Sequence, residues 1–153
     1  MNIKSIKFWK FWTITILIVF ALVTGQYYFG LFEFILAYDQ TYLSLVNLAI
    51  MAIAHLMIGR MHLKGNYAPA DHQMVGYLGS VTTSIGLVGT LVGFMLLLWA
   101  VFGPGVALDP SNVASMTAAM ANMAQGMSTA LITSLTGILA SIVIQFQIVI
   151  LEE

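Results

Sequence analysis

The feature that most limits what this chain can fold into is the length of its apolar runs. Four stretches, 8–29, 42–59, 81–102 and 123–151, are apolar and nearly free of charge. A helix needs about 20 such residues to cross the hydrocarbon core of a bilayer, so four crossings account for nearly the whole chain. Backbone N–H and C=O groups in lipid must be paired within their own segment, which makes the spans helical. Composition agrees, because 60 % of the 153 residues are apolar and only 7 % are charged, which excludes a water-soluble domain. The expected fold class is therefore an all-α membrane protein with four transmembrane helices. The absence of cysteine rules out a disulfide framework or thiolate metal site, and a net charge of −1 gives no basis for nucleic-acid binding.

Basic residues set the expected orientation. Lys4, Lys7 and Lys10 precede the first run, which lacks a small-residue cleavage site near position 25 and reads as a retained span. Arg60 and Lys64 lie between the second and third runs, so all five basic residues fall on the cytoplasmic side and both termini are cytoplasmic. The first outer loop then holds Glu33 and Asp39 and the second Asp109, with no Lys or Arg. Aromatic belts at Phe8, Trp9, Phe11 and Trp12 and at Tyr27, Tyr28 and Phe29 mark the two interfaces of the first span. Gly65, Asn66, Pro69 and Gly76 make 60–78 a short cytoplasmic connection with a lead-in to span three. Asp109 followed by Pro110 suits a helix start. From there an apolar pattern runs to position 151, ~60 Å of helix or twice the hydrocarbon thickness, so a kink or interfacial segment is expected before Gly126.

Spans three and four carry the most specific pattern. Gly79, Thr83, Gly86, Thr90 and Gly93 recur at alternating steps of four and three and share one helix face. Span four answers with Ala130, Ser134, Gly137 and Ser141, flanked by a stripe of Thr129, Thr133, Thr136 and Ala140. Small residues at this spacing bring backbones together where no hydrophobic drive between helices exists. The hydroxyls admit two readings: they bond back to carbonyls one turn earlier, or they line an ion path, replacing part of a small cation's hydration shell.

The segment GLVGTLVGFM, followed some thirty residues later by GMSTALITSLTGILASI, resembles the paired pore helices of the MotA/TolQ/ExbB family of ion-driven inner-membrane motors. The resemblance covers about residues 76–147. The G-x-x-G-T-x-x-G core of the family's first pore helix stands here as Gly86, Gly89, Thr90 and Gly93, and the A-L-x-[TA]-[TS]-x-x-G of the second as Ala130, Leu131, Thr133, Ser134 and Gly137. It implies an A-type subunit of a homopentameric ring in a bacterial-type cytoplasmic membrane. Residues 1–59 would supply peripheral helices, and 79–153 would form the pore helices, with an outer loop at 103–122. Two single-span partners of the MotB/TolR/ExbD type would thread the ring, each carrying a membrane aspartate that takes up the ion. By match, Thr90 and Ser134 face that aspartate, Thr133 and Thr129 extend the ion path, and Gly86, Gly89, Gly93 and Gly137 pack the helices. The transported ion would be H+ or Na+, and no cofactor is implied. Thr133 and Ser134 with Thr90 are more similar to sodium-type members, which carry a Thr-Thr pair there. Thr129 departs from the glutamate that ExbB and TolQ place at its position, and 60–78 replaces the large rotor-contacting domain of flagellar members.

The residues themselves point the same way. Spans three and four contain no Asp, Glu, Lys, Arg or His. An intramembrane carboxylate is the usual mark of ion transduction, so in a motor the charge-changing group must come from another polypeptide. No nucleophile-base pair, acid pair or phosphate loop suggests an enzyme. Two other classes remain open: a small four-helix transporter working through Glu33, and a non-conducting tetraspan scaffold. His55 reads as a hydrogen-bonded or interface-snorkelling span residue, His62 and His72 lack a metal-ligand spacing, and the Met116, Met120, Met123, Met127 stripe reads as flexible packing. Asn47 and Gln145 are expected to bond between helices, and Gln147 to reach headgroups and water.

Overall fold

The computed structural model describes residues 3–64, 69–104 and 111–152. Asp109, Pro110, Gly65 and Asn66 lie outside these, as do the side chains of Lys4, Lys7, His62 and Lys64. The described residues form only helices: α1 (Ile3–Phe29), α2 (Leu31–Tyr38), α3 (Leu43–Lys64), α4 (Pro69–Phe102) and α5 (Val113–Glu152). Four of them contain stretches long and apolar enough to cross a membrane, Trp9–Phe29, Leu43–Met61, Asp71–Phe102 and Val113–Ile150.

Three local features differ from the sequence expectation. The segment after the first span is partly helical: Gly30 turns the chain with φ 55°, a left-handed conformation that glycine adopts without a Cβ penalty. Gln26 stitches this turn, its Oε1 accepting from the Phe32 N–H (2.9 Å) and its Nε2 donating to Glu33 (2.7 Å). The connection 60–78 is also mostly helical, because α3 continues to Lys64 and α4 begins at Pro69, a first-turn position where the missing proline N–H costs nothing. Finally, α5 begins at Val113, capped by Asn112, whose Oδ1 accepts from the N–H groups of Ala114 and Ser115, and it runs as one helix of 40 residues through Gly126. Gly126 serves close packing there: a Cβ on it would stand 2.7 Å from the Leu97 Cβ.

The helices α4 and α5 lie antiparallel and share by far the largest interface, with α3 packed across both. Toward the end away from α2, an apolar cluster of Ala54, Ile58, Met61, Val75 and Ile144 joins α3, α4 and α5. Phe11 of α1 packs against this cluster over Gly59, where a Cβ would lie 3.1 Å from the ring. The Phe11 ring stacks on His55 at 5.2 Å, and Thr15 reaches His55 Nε2 at 3.3 Å, which gives that histidine a partner in α1. Beyond these contacts α1 is largely exposed on the protein surface.

Candidate functional site

The site is built on glycines. Along the α4–α5 seam, a Cβ on Gly93 would sit 2.7 Å from the Ala130 nitrogen, and one on Gly89 would sit 2.5 Å from the Thr133 Cβ. A Cβ on Gly86 would meet the Thr133 carbonyl at 3.2 Å, and one on Gly137 the Thr82 carbonyl at 2.6 Å. All four glycines assigned to packing in the sequence thus line the α4–α5 seam, where an added Cβ would crowd the facing helix. The seam continues one turn beyond them to Gly126 against Leu97. Extending the small-residue stripe back by four from Ala130 would have found Gly126 in the sequence.

Close approach places hydroxyls across the seam from each other. Thr90 Oγ1 and Ser134 Oγ hydrogen-bond to one another, and both are half-buried. Thr90 Oγ1 also lies 3.1 Å from the Gly86 carbonyl, with Ser134 Oγ 3.4 Å from the same oxygen. Three oxygens therefore converge between the helices with only two hydroxyl protons among them, which leaves lone pairs free to accept a donor or ligate a small cation. No titratable side chain lies in either span near this pair, so the site carries dipoles and no fixed charge.

The other two threonines of the expected ion path point elsewhere within the chain. Thr133 is fully buried beneath Gly89, its hydroxyl engaged with the carbonyls of Thr129 (2.9 Å) and Ala130 (3.1 Å). Thr129, also fully buried, donates to the Tyr38 carbonyl (2.8 Å) and so ties α5 to the end of α2. The structure brings Thr90 and Ser134 together, sets Thr133 directly behind Ser134, and turns Thr129 toward α2.

Polar residues around the seam vary in how they are satisfied. Asn47 bonds between helices, its Nδ2 reaching the Thr133 carbonyl at 3.5 Å. Gln145, by contrast, bonds within α5, to Ser141 at 3.3 Å. Gln147 does not reach water: it is 2 % exposed, and neither polar atom of its amide has a hydrogen-bond partner. The helical register of α5 turns it inward, an orientation that residue type alone does not reveal. Glu33 sits exposed on α2, outside the α1 span, where the Gln26 hydrogen bond and its backbone hold the carboxyl below its ordinary pKa. The methionine stripe on α5 faces outward. Among the described residues no group of three or more His, Asp or Glu side chains could hold a metal ion. No family model matches this chain, and no similar protein was found among curated proteins or among solved structures.

Proposed function

We propose that this protein is the A-type subunit of an inner-membrane, ion-driven motor or channel of the MotA/TolQ/ExbB kind. In this reading five copies form a ring, α4 and α5 line its pore, and α1 and α3 stand at the periphery with both termini in the cytoplasm. Two single-span B-type partners each bring a membrane aspartate to the Thr90–Ser134 pair, and a proton or sodium ion passes along it. The observation that carries the proposal is the meeting of two half-buried hydroxyls across a glycine-lined seam, within apolar runs (81–102 and 123–151) that contain no Asp, Glu, Lys, Arg or His. Such a site can desolvate a small cation with neutral oxygens but cannot hold or release charge by itself. It needs a carboxylate from outside the chain.

The chemical division of labour follows. The hydroxyls and the Gly86 carbonyl offer oxygen ligands without a counter-charge, so the ion stays bound only while the partner's aspartate is ionised beside them. Neutralising that aspartate removes its attraction for a hydrated or charged environment and lets the partner helix move past the ring. The motive force thereby becomes mechanical work.

The test uses the complex purified from its host's membrane and reconstituted into liposomes, with proton and sodium uptake followed by dyes. Thr90→Val and Ser134→Ala should each abolish uptake while the complex still assembles. Unchanged uptake in both variants would reject the assignment and favour a scaffold.

A further inference from the structure

A second polar cluster starts at the α2 end of the molecule and reaches the α4–α5 seam at Asn47, behind Thr133. Asp39, between α2 and α3, is 1 % exposed, and Ser44 and Asn47 on α3 are fully buried. Asp39 begins α3 as a cap: its Oδ1 accepts from the Thr41 N–H (3.0 Å) and hydroxyl (2.7 Å), and its Oδ2 from the Ser44 N–H (2.8 Å). Each carboxylate oxygen has two lone pairs, so Oδ2 keeps one unused. The Ser44 hydroxyl sits near enough to favour the charged carboxylate without reaching hydrogen-bond geometry, and its oxygen has no partner. Asn47 lies one turn further along the same face of α3, and its Oδ1 is likewise buried and without a partner.

Two ties fix this layer between α3 and α5. Thr129 of α5 donates to the Tyr38 carbonyl, next to Asp39, and Asn47 reaches the Thr133 carbonyl one turn deeper. Asp39 and Ser44 lie between Tyr38 and Asn47 in the chain. Burial pushes the Asp39 carboxyl toward its neutral form, but the donors from Ser44 and Thr41 outweigh it and hold the pKa below the ordinary value, so the buried group is an anion. Lys10, Arg60 and His72 lie toward the opposite ends of α1, α3 and α4 and do not neutralise it. Among the described residues no cation faces this carboxylate; the three donors at the start of α3 offset part of its burial cost, and free oxygens beside it are the ligands a hard cation takes.

We propose that Asp39 Oδ2, Ser44 Oγ and Asn47 Oδ1 form a binding site for one monovalent alkali cation inside each protomer. One carboxylate among neutral oxygens balances a single positive charge, whereas divalent ions are held by more anionic sets. At the α2 end Gln40, the residue after Asp39, joins Asn122, Gln125 and Gly126 in lining an open cleft of about 140 Å³. A polar cleft of that size admits a partly hydrated ion. The site needs no partner subunit, so it stands independently of the Thr90–Ser134 proposal.

The full-length protein in detergent, melted in increasing sodium chloride, potassium chloride or choline chloride, tests the site through its three tryptophans. Binding to the folded state alone raises the melting temperature in step with ligand saturation. The expected result is a saturable rise in sodium or potassium that choline does not give. Ser44→Ala, which keeps the capping N–H, should weaken half-saturation about tenfold, a loss of ~1.4 kcal/mol, and Asn47→Leu should do the same. Thr90→Val should leave the response unchanged. Equal melting in all three salts, as a cluster that holds only water would give, overturns the proposal, and so does an unchanged response in Ser44→Ala. Loss of the response in Thr90→Val would assign the ion to the α4–α5 seam and equally overturn it.

Discussion

The first and last helices of this chain are both apolar enough to cross a membrane, yet they are used in opposite ways. No described residue of the α1 span is buried inside the protein, whereas 44 % of an 18-residue apolar stretch within the α5 span is. The difference lies in side-chain size. Ile16, Val19, Phe20 and Val23 hold α1 at a distance and are exposed, while glycine and alanine along α4 and α5 let two backbones touch. In lipid, greasy surface alone does not bring helices together; close backbone contact and interhelical hydrogen bonds do. Hydropathy therefore says which segments enter the membrane, and residue size says which of them pair.

The most damaging way to break this contrast is to add bulk in the seam. Gly93→Val and Gly89→Val place a branched side chain where even a Cβ would stand 2.7 Å from the Ala130 nitrogen or 2.5 Å from Thr133. Thermal melting in detergent should show a loss of ~3 kcal/mol or more in each. Gly76→Ala on the same helix meets nothing within 4 Å and should be neutral or stabilising by ~0.5–1 kcal/mol. A similar loss at Gly76 would mean that helix propensity, not backbone approach, sets the effect.

Gln147→Leu comes next and has the opposite sign. Its buried amide has no hydrogen-bond partner, and replacing it with an apolar group of similar volume should raise stability by ~1–3 kcal/mol. A lower melting temperature would show that the amide is paired in the membrane. Thr129→Val then removes the tie between α5 and the Tyr38 carbonyl and should cost ~0.6–1.7 kcal/mol, read as faster hydrogen exchange across α2. Smallest of all, Ile16→Ala and Val19→Ala on the exposed face of α1 should shift stability within ±0.5 kcal/mol. A large loss would contradict the exposed place of these α1 side chains.

Much of the architecture was legible in the sequence because it rests on length and periodicity. The four apolar runs found their helices, and the four-and-three spacing of Gly79 to Gly93 found the face that meets α5. What was not legible depended on single side chains. Gly30 hides a helix behind it, since LFEFILAY reads equally as interfacial loop until the left-handed turn is seen. The length of α5 suggested a kink before Gly126, and spacing alone did not show that Leu97 takes the space a Gly126 side chain would need. In the candidate site, the Thr90–Ser134 meeting follows from the two stripes. The inward turn of Gln147 and the use of Thr129 on α2 depend on how α2 and α3 cover α5, which spacing within one helix does not encode.

The central claim is that the hydroxyl seam works within a ring around partner helices, and native mass spectrometry tests it most directly. The tagged protein would be purified from its own host's membrane, with every co-purifying chain identified. Five copies with two copies of a single-span protein bearing a membrane aspartate are expected. A monomer or dimer without such a partner would contradict the account.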